Sequence, residues 1–121
     1  MKKKEELSPE CIKHIRGVKD TVDLLNGKWK TFIIDKLYYT GKIRFMDLKR
    51  QTEIAPKVLS KELKDLEMNN LVKRTENNNL LVSIEYELTD FGKSLHNVID
   101  VMGKWGIDYR EQLLKERIIK M

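Results

Sequence analysis

A chain of 121 residues has room for one ordinary hydrophobic core and not for two. Its hydrophobic share of 40% and charged share of 36%, with only two prolines and six glycines, describe a soluble and mainly helical domain. No apolar run approaches the ~20 residues that cross a bilayer and none follows the lysines of MKKKEELSPE as in a secretory leader, so neither a spanning helix nor a signal peptide is expected and a cytoplasmic location is. The net charge of +5 favours polyanionic partners, and the single cysteine, Cys11, leaves no internal disulfide.

In chain order, Ser8-Pro9 predicts a helix start, with Val18, Val22 and Leu25 at helical spacing up to a stop at Asn26-Gly27. A second helix is predicted through KWKTFIIDKLYYTGK, where Trp29, Phe32, Ile33 and Leu37 form the apolar stripe and Gly41 ends it. A short third helix over RFMDLKRQT turns Phe45, Leu48 and Met46 inward. Pro56 opens a fourth, in which Leu59, Leu63 and Leu66 share one face and Lys57, Lys61 and Lys64 another. The period then changes. Val82, Ile84, Tyr86 and Leu88 alternate with polar neighbours, so LVKRTE and LVSIEYELT predict a hairpin tipped by asparagines. Thr89 caps one last helix, along which Leu95, Val98, Ile99, Met102, Trp105, Tyr109 and Leu113 keep a three-four spacing. That stripe is too long for the core of a compact domain and favours a partner helix.

Helix, turn, helix and then a basic hairpin is the order of a winged helix-turn-helix. In that fold the second helix of the pair enters the DNA major groove with its N-terminal residues nearest the bases. Lys57, Ser60, Lys61 and Lys64 stand on its outward face, and the hairpin carries Arg74 with Asn77, Asn78 and Asn79 toward the backbone or minor groove. Charge is placed accordingly. Positions 42–74 hold nine Lys/Arg against five Asp/Glu, so this segment carries +4 of the excess. Arg44, at its head, belongs to the same candidate DNA-binding set.

The motifs DLLNGKWKTFIID, RFMDLKR, LSKELKDLEMNNLVKR and IEYELTDFG occur in the order and spacing of the HxlR-type winged-helix transcriptional regulators, relatives of the MarR group, which the chain resembles from about Val18 to Trp105. The resemblance implies a homodimer, assembled through its terminal helices, that binds a palindromic operator and regulates nearby genes. Two departures stand out. Many members carry a redox-sensing Cys-Pro before the first helix where this chain has Arg16-Gly17, and the wing has Leu81-Val82 in place of the usual Pro-Pro.

The expectation is therefore one domain over 1–121. It is mainly α with a small β-hairpin wing, a winged helix-turn-helix with N- and C-terminal dimerisation helices: an N-terminal helix region (8–26), a helix-turn-helix (44–70), a wing (71–89) and a C-terminal dimerisation helix (90–117) whose partner face is Leu95, Val98, Met102, Trp105 and Tyr109. The expected partners are double-stranded DNA and a second copy of the chain, with a small-molecule effector left open. No cofactor or metal is expected: His14 and His96 stand alone, and no Gly-rich phosphate loop or nucleophile set supports an enzyme. The alternative is a dimeric protein-interaction module on the same scaffold, which would more often carry exposed apolar residues on the Lys57 to Lys64 face. Trp29 and Trp105 lie on apolar stripes and are assigned to core or dimer contact rather than to base stacking. Cys11 is taken as an incidental thiol.

Overall fold

Local chemistry sets the helix boundaries in the computed structural model, which describes residues 7–78 and 83–120, with side chains through residue 117. Ser8 caps α1 (Pro9–Leu24), its hydroxyl accepting from the Cys11 N–H at 3.1 Å. Helix α2 (Lys30–Thr40) ends at Gly41, whose φ of 70° with ψ of −147° is a conformation that a residue without a Cβ adopts at little cost. Strand β1 (Ile43–Arg44) leads into α3 (Phe45–Thr52) and then α4 (Pro56–Met68), with Pro56 in the first turn as the sequence predicts. Strands β2 (Val72–Asn77) and β3 (Ser83–Leu88) form the wing, followed by α5 (Asp90–Lys93) and α6 (His96–Lys120).

The turn between α3 and α4 is held from inside. Thr52 is buried, donates its hydroxyl to Leu48 O at 2.8 Å and accepts from the Ile54 N–H at 3.4 Å. Glu53 takes the left-handed conformation (φ 59°, ψ 19°) that reverses the chain, and Ile54 plugs the core. The core lies between α2, α3, α4 and the sheet: Ile33, Ile34 and Leu37 meet Leu48, then Leu59, Leu63 and Leu66, then Leu71, Val72, Tyr86 and Leu88. Fully burying each leucine or isoleucine contributes about 1.5–3 kcal/mol, so this cluster fixes the angle of α4.

The structure corrects the sequence reading in several places. The wing is part of a three-stranded antiparallel sheet in the order β1-β3-β2, with Ile43 opposite Tyr86 and Arg44 opposite Glu85, not a lone hairpin. Phe32 is 44% exposed and Ile34 takes the inward place assigned to it, because α2 is apolar on more than one face. Met46 is 60% exposed; α3 buries Leu48, as expected, and Thr52 in the place given to Met46. The predicted last helix is two. Ser94 donates its hydroxyl to Phe91 O, and Gly92 packs so close to Leu71 that an added Cβ would lie 2.1 Å from the Leu71 carbonyl oxygen. That approach packs α5 against the residue that precedes β2. Leu95, at the junction, is partly buried against the chain's own core together with Ile99, so it stands apart from the open stripe to which it was assigned. Residues 79, 81 and 82, which the hairpin reading used, lie outside the described residues.

Candidate nucleic-acid interface

Burial of Leu59, Leu63 and Leu66 leaves the opposite face of α4 to Lys57, Ser60, Lys61 and Lys64, and all four are exposed. Among the described residues, none of the three lysines is in an ion pair. This contrasts with the carboxylates beside them. Glu62 is hydrogen-bonded to Lys30 Nζ, and Asp65 Oδ2 lies 3.4 Å from the same nitrogen. The Lys30 and Glu62 side chains are only 13% and 12% exposed, so this contact is partly desolvated and joins α2 to the inner flank of α4. The Glu62 hydrogen bond first, then the charges of Glu62 and Asp65, hold the Lys30 ammonium above its ordinary 10.5, against the burial that lowers it.

The N-terminus of α4 is open. Its N-cap is Ala55, which offers no side-chain hydrogen bond, so the first amides of the helix have no capping oxygen. Unsatisfied N–H groups and the positive end of the helix dipole favour an anion there, where an aspartate cap would repel one.

Arg44, Ser60 and Arg74 come from three different elements and converge. They line one groove of about 630 Å³ together with Phe45, Met46, Asp47, Ser83, Ile84 and Tyr86. Arg74 reaches it from β2, where it stands opposite Tyr86 and 3.8 Å from Glu76. Arg44 reaches it from the residue that caps α3. Asn77 closes β2 opposite Ser83, and Asn78 follows it, exposed. The arrangement offers α4 as a rod of ammonium and hydroxyl donors, with guanidinium groups on the wing side, which suits a phosphate backbone beside a groove.

A second surface is apolar. Helix α1 has no buried residue, and Ile12, Ile15, Val18 and Val22 are exposed along it. Val98, Val101, Met102, Trp105, Tyr109 and Leu114 are exposed along α6, with Trp105 and Tyr109 stacked at 5.0 Å. Residues of both helices line a shallow groove at Val18, Val22 and Val98, so the two stripes adjoin. The sequence reading expected both terminal helices to take part in dimerisation but named partner residues on α6 alone. The three- and four-residue spacing of Ile12, Ile15, Val18 and Val22 was the signal for the other half. Trp29 packs partly against the core and carries Lys28 Nζ 4.8 Å from its ring, whereas Trp105 stays 64% exposed.

A family model for the HxlR-like helix-turn-helix matches residues 24–114. The chain belongs to this HxlR-like family. Two curated relatives are HTH-type transcriptional regulators of Bacillus subtilis strain 168: YtcD, 34% identical over 83% of this chain and 79% of its own, and YdzF, 40% identical over 72% and 81%. Among solved structures, the redox regulator HypR in its reduced form superposes with a TM-score of 0.73 at 31% identity, covering 82% of this chain and 98% of that one. This HxlR-like protein is thus a winged helix-turn-helix transcriptional regulator, and its relatives are regulators rather than enzymes. Among the described residues no helix is long and apolar enough to cross a membrane.

Proposed function

We propose that the protein is a sequence-specific DNA-binding regulator that acts in the cytoplasm as a homodimer on a palindromic operator. The observation that carries the DNA contact is the outer face of α4: three lysines without an ion pair among the described residues, with the Glu62 and Asp65 carboxylates tied inward to Lys30. Lys57, Ser60, Lys61 and Lys64 would enter the major groove. Arg44 and Arg74 would hold the flanking phosphates, and Asn77 and Asn78 would meet the backbone or minor groove. The apolar stripes of α1 and α6 supply the second half of the reading. Monomeric soluble proteins rarely leave an apolar surface of this extent open, and Val98, Met102, Trp105 and Tyr109 would meet their copies there. A two-fold dimer presents two α4 helices related by the same axis, and such a pair reads an inverted repeat. A protein-interaction module on the same scaffold is not favoured, because the exposed apolar side chains gather on α1 and α6 rather than on the lysine face.

The test is duplex binding against salt. The logarithm of the affinity should fall linearly with the logarithm of salt concentration, with a slope of about −0.9 per neutralised phosphate. Changing Lys57, Lys61 and Lys64 together to alanine should flatten that slope by up to about three units and weaken all sequences, while leaving the helical circular dichroism intact. A folded triple variant with unchanged affinity would refute the reading.

A further inference from the structure

Lys61 and Asp65 are four residues apart on α4, the spacing at which a lysine and a carboxylate pair across one helical turn. That pair is not made. Asp65 is held at 3.4 Å by Lys30, whose stronger hydrogen bond goes to Glu62, and Lys61 is left without an ion pair among the described residues. Yet Lys61 lines the same cavity of about 600 Å³ as Asp20, Asp23, Glu62 and Asp65. Asp23 is already engaged by Lys19 at 3.2 Å. An ammonium beside four carboxylates stays free when the ones on its own helix are already taken from behind.

We infer that Lys30 is a positioning residue of the DNA interface: by holding Glu62 and Asp65 on the inner flank of α4, it keeps Lys61 available for a phosphate. The inference rests on the proposed DNA contact of the α4 lysines. Without Lys30, Asp65 would turn to Lys61 and the pair would neutralise itself. Lys30 touches no DNA in this account, being packed between α2 and α4 on the far flank from Lys57 and Ser60.

The test measures salt dependence on a mixed-sequence duplex, since the electrostatic part of binding does not need the operator. Lys61→Ala in the otherwise unchanged protein should flatten the slope by about 0.9. Lys30→Met should flatten it by a similar amount, adding Lys61→Ala to Lys30→Met should change it no further, and adding Asp65→Asn should restore it. If Lys61→Ala has its full effect in both backgrounds, Lys30 does not position Lys61 and the inference is overturned. If Lys61→Ala has no effect even with Lys30 present, the DNA contact of Lys61 itself fails, a distinguishable result that also overturns the inference. A purely structural Lys30 would lower stability without moving the slope. Should Lys30→Met fail to fold, Lys30→Met with Glu62→Gln removes the buried pair and leaves the more exposed Asp65 free to turn to Lys61. Its slope should be flatter by about 0.9 and be restored by a further Asp65→Asn, and an unflattened slope in the folded double variant would overturn the inference.

Discussion

The outer face of α4 and the joined stripes of α1 and α6 are both open to solvent, yet they are unsatisfied in different senses. Lys57, Lys61 and Lys64 have no ion-pair partner among the described residues but lose nothing by it, because a hydrated ammonium is at home in water. Ile12, Ile15, Val18 and Val22, with Met102, Trp105 and Tyr109, keep water against apolar surface at about 25 cal/mol for every Å² left uncovered. Exposed charge is therefore weak grounds for a partner until something else singles it out. On α4 that something is the inward capture of the neighbouring acids. Exposed apolar surface on two adjoining helices needs no such support.

The largest effect should come from breaking the apolar half. Trp105→Glu replaces a side chain that is 64% exposed in one chain, so a monomer should lose less than about 0.5 kcal/mol of stability. In a dimer seam the same carboxylate is buried without a partner, which costs several kcal/mol and should weaken association by two orders of magnitude or more. Sedimentation should then show monomer, and operator affinity should fall with it. An unchanged sedimentation coefficient would place the partner face elsewhere.

Next in size is the joint between the two surfaces. Gly92→Ala forces a Cβ against the Leu71 carbonyl and should cost about 1–3 kcal/mol, read as a lowered midpoint in urea. The salt slope per bound protomer should stay unchanged, because Gly92 lies on α5 and not on the α4 face. The charged half gives a smaller, pH-dependent signal. The Lys30 value is raised, so the stability it contributes is fully present below pH 10.5 and is lost as pH rises through the raised value. The stability difference between the unchanged protein and Lys30→Met should accordingly be flat from neutral pH upward and shrink above pH 10.5. A difference that grew with alkalinity would contradict the assignment. The smallest expected effect is at Cys11, an exposed thiol in the first turn of α1 and remote in sequence from the α4 face. Cys11→Ser should leave duplex binding unchanged before and after peroxide, and a serine-abolished, reductant-reversible loss of binding would show that the thiol is a sensor.

Much of this was legible in the residues because it is local. Ser8-Pro9, Pro56 and Thr89 mark helix starts through their own backbone preferences, and the leucine and lysine faces of α4 follow from helical spacing alone. What was not legible depends on contacts distant in sequence. Strand β1 is two residues long, too short to show a period, and exists because Ile43 and Arg44 meet Tyr86 and Glu85. The packing of α5 turns on the approach of Gly92 to Leu71, and Thr89 reinforces it by donating to Asn70 O at 2.7 Å. Lys30 is 32 positions from Glu62, and nothing in its neighbourhood singles it out from the other lysines. The convergence of Arg44, Ser60 and Arg74 on one groove likewise appears only once three elements are packed.

Selecting genomic DNA fragments with the purified protein and sequencing them tests both surfaces at once. A lysine face that reads bases should enrich particular sequences, and a two-fold dimer should make them inverted repeats. Their half-site centres should be one helical turn, about 34–36 Å, or a multiple of it apart. Enrichment of single, asymmetric sites would contradict the dimer, and recovery of fragments no different from the input would contradict the DNA-reading face of α4.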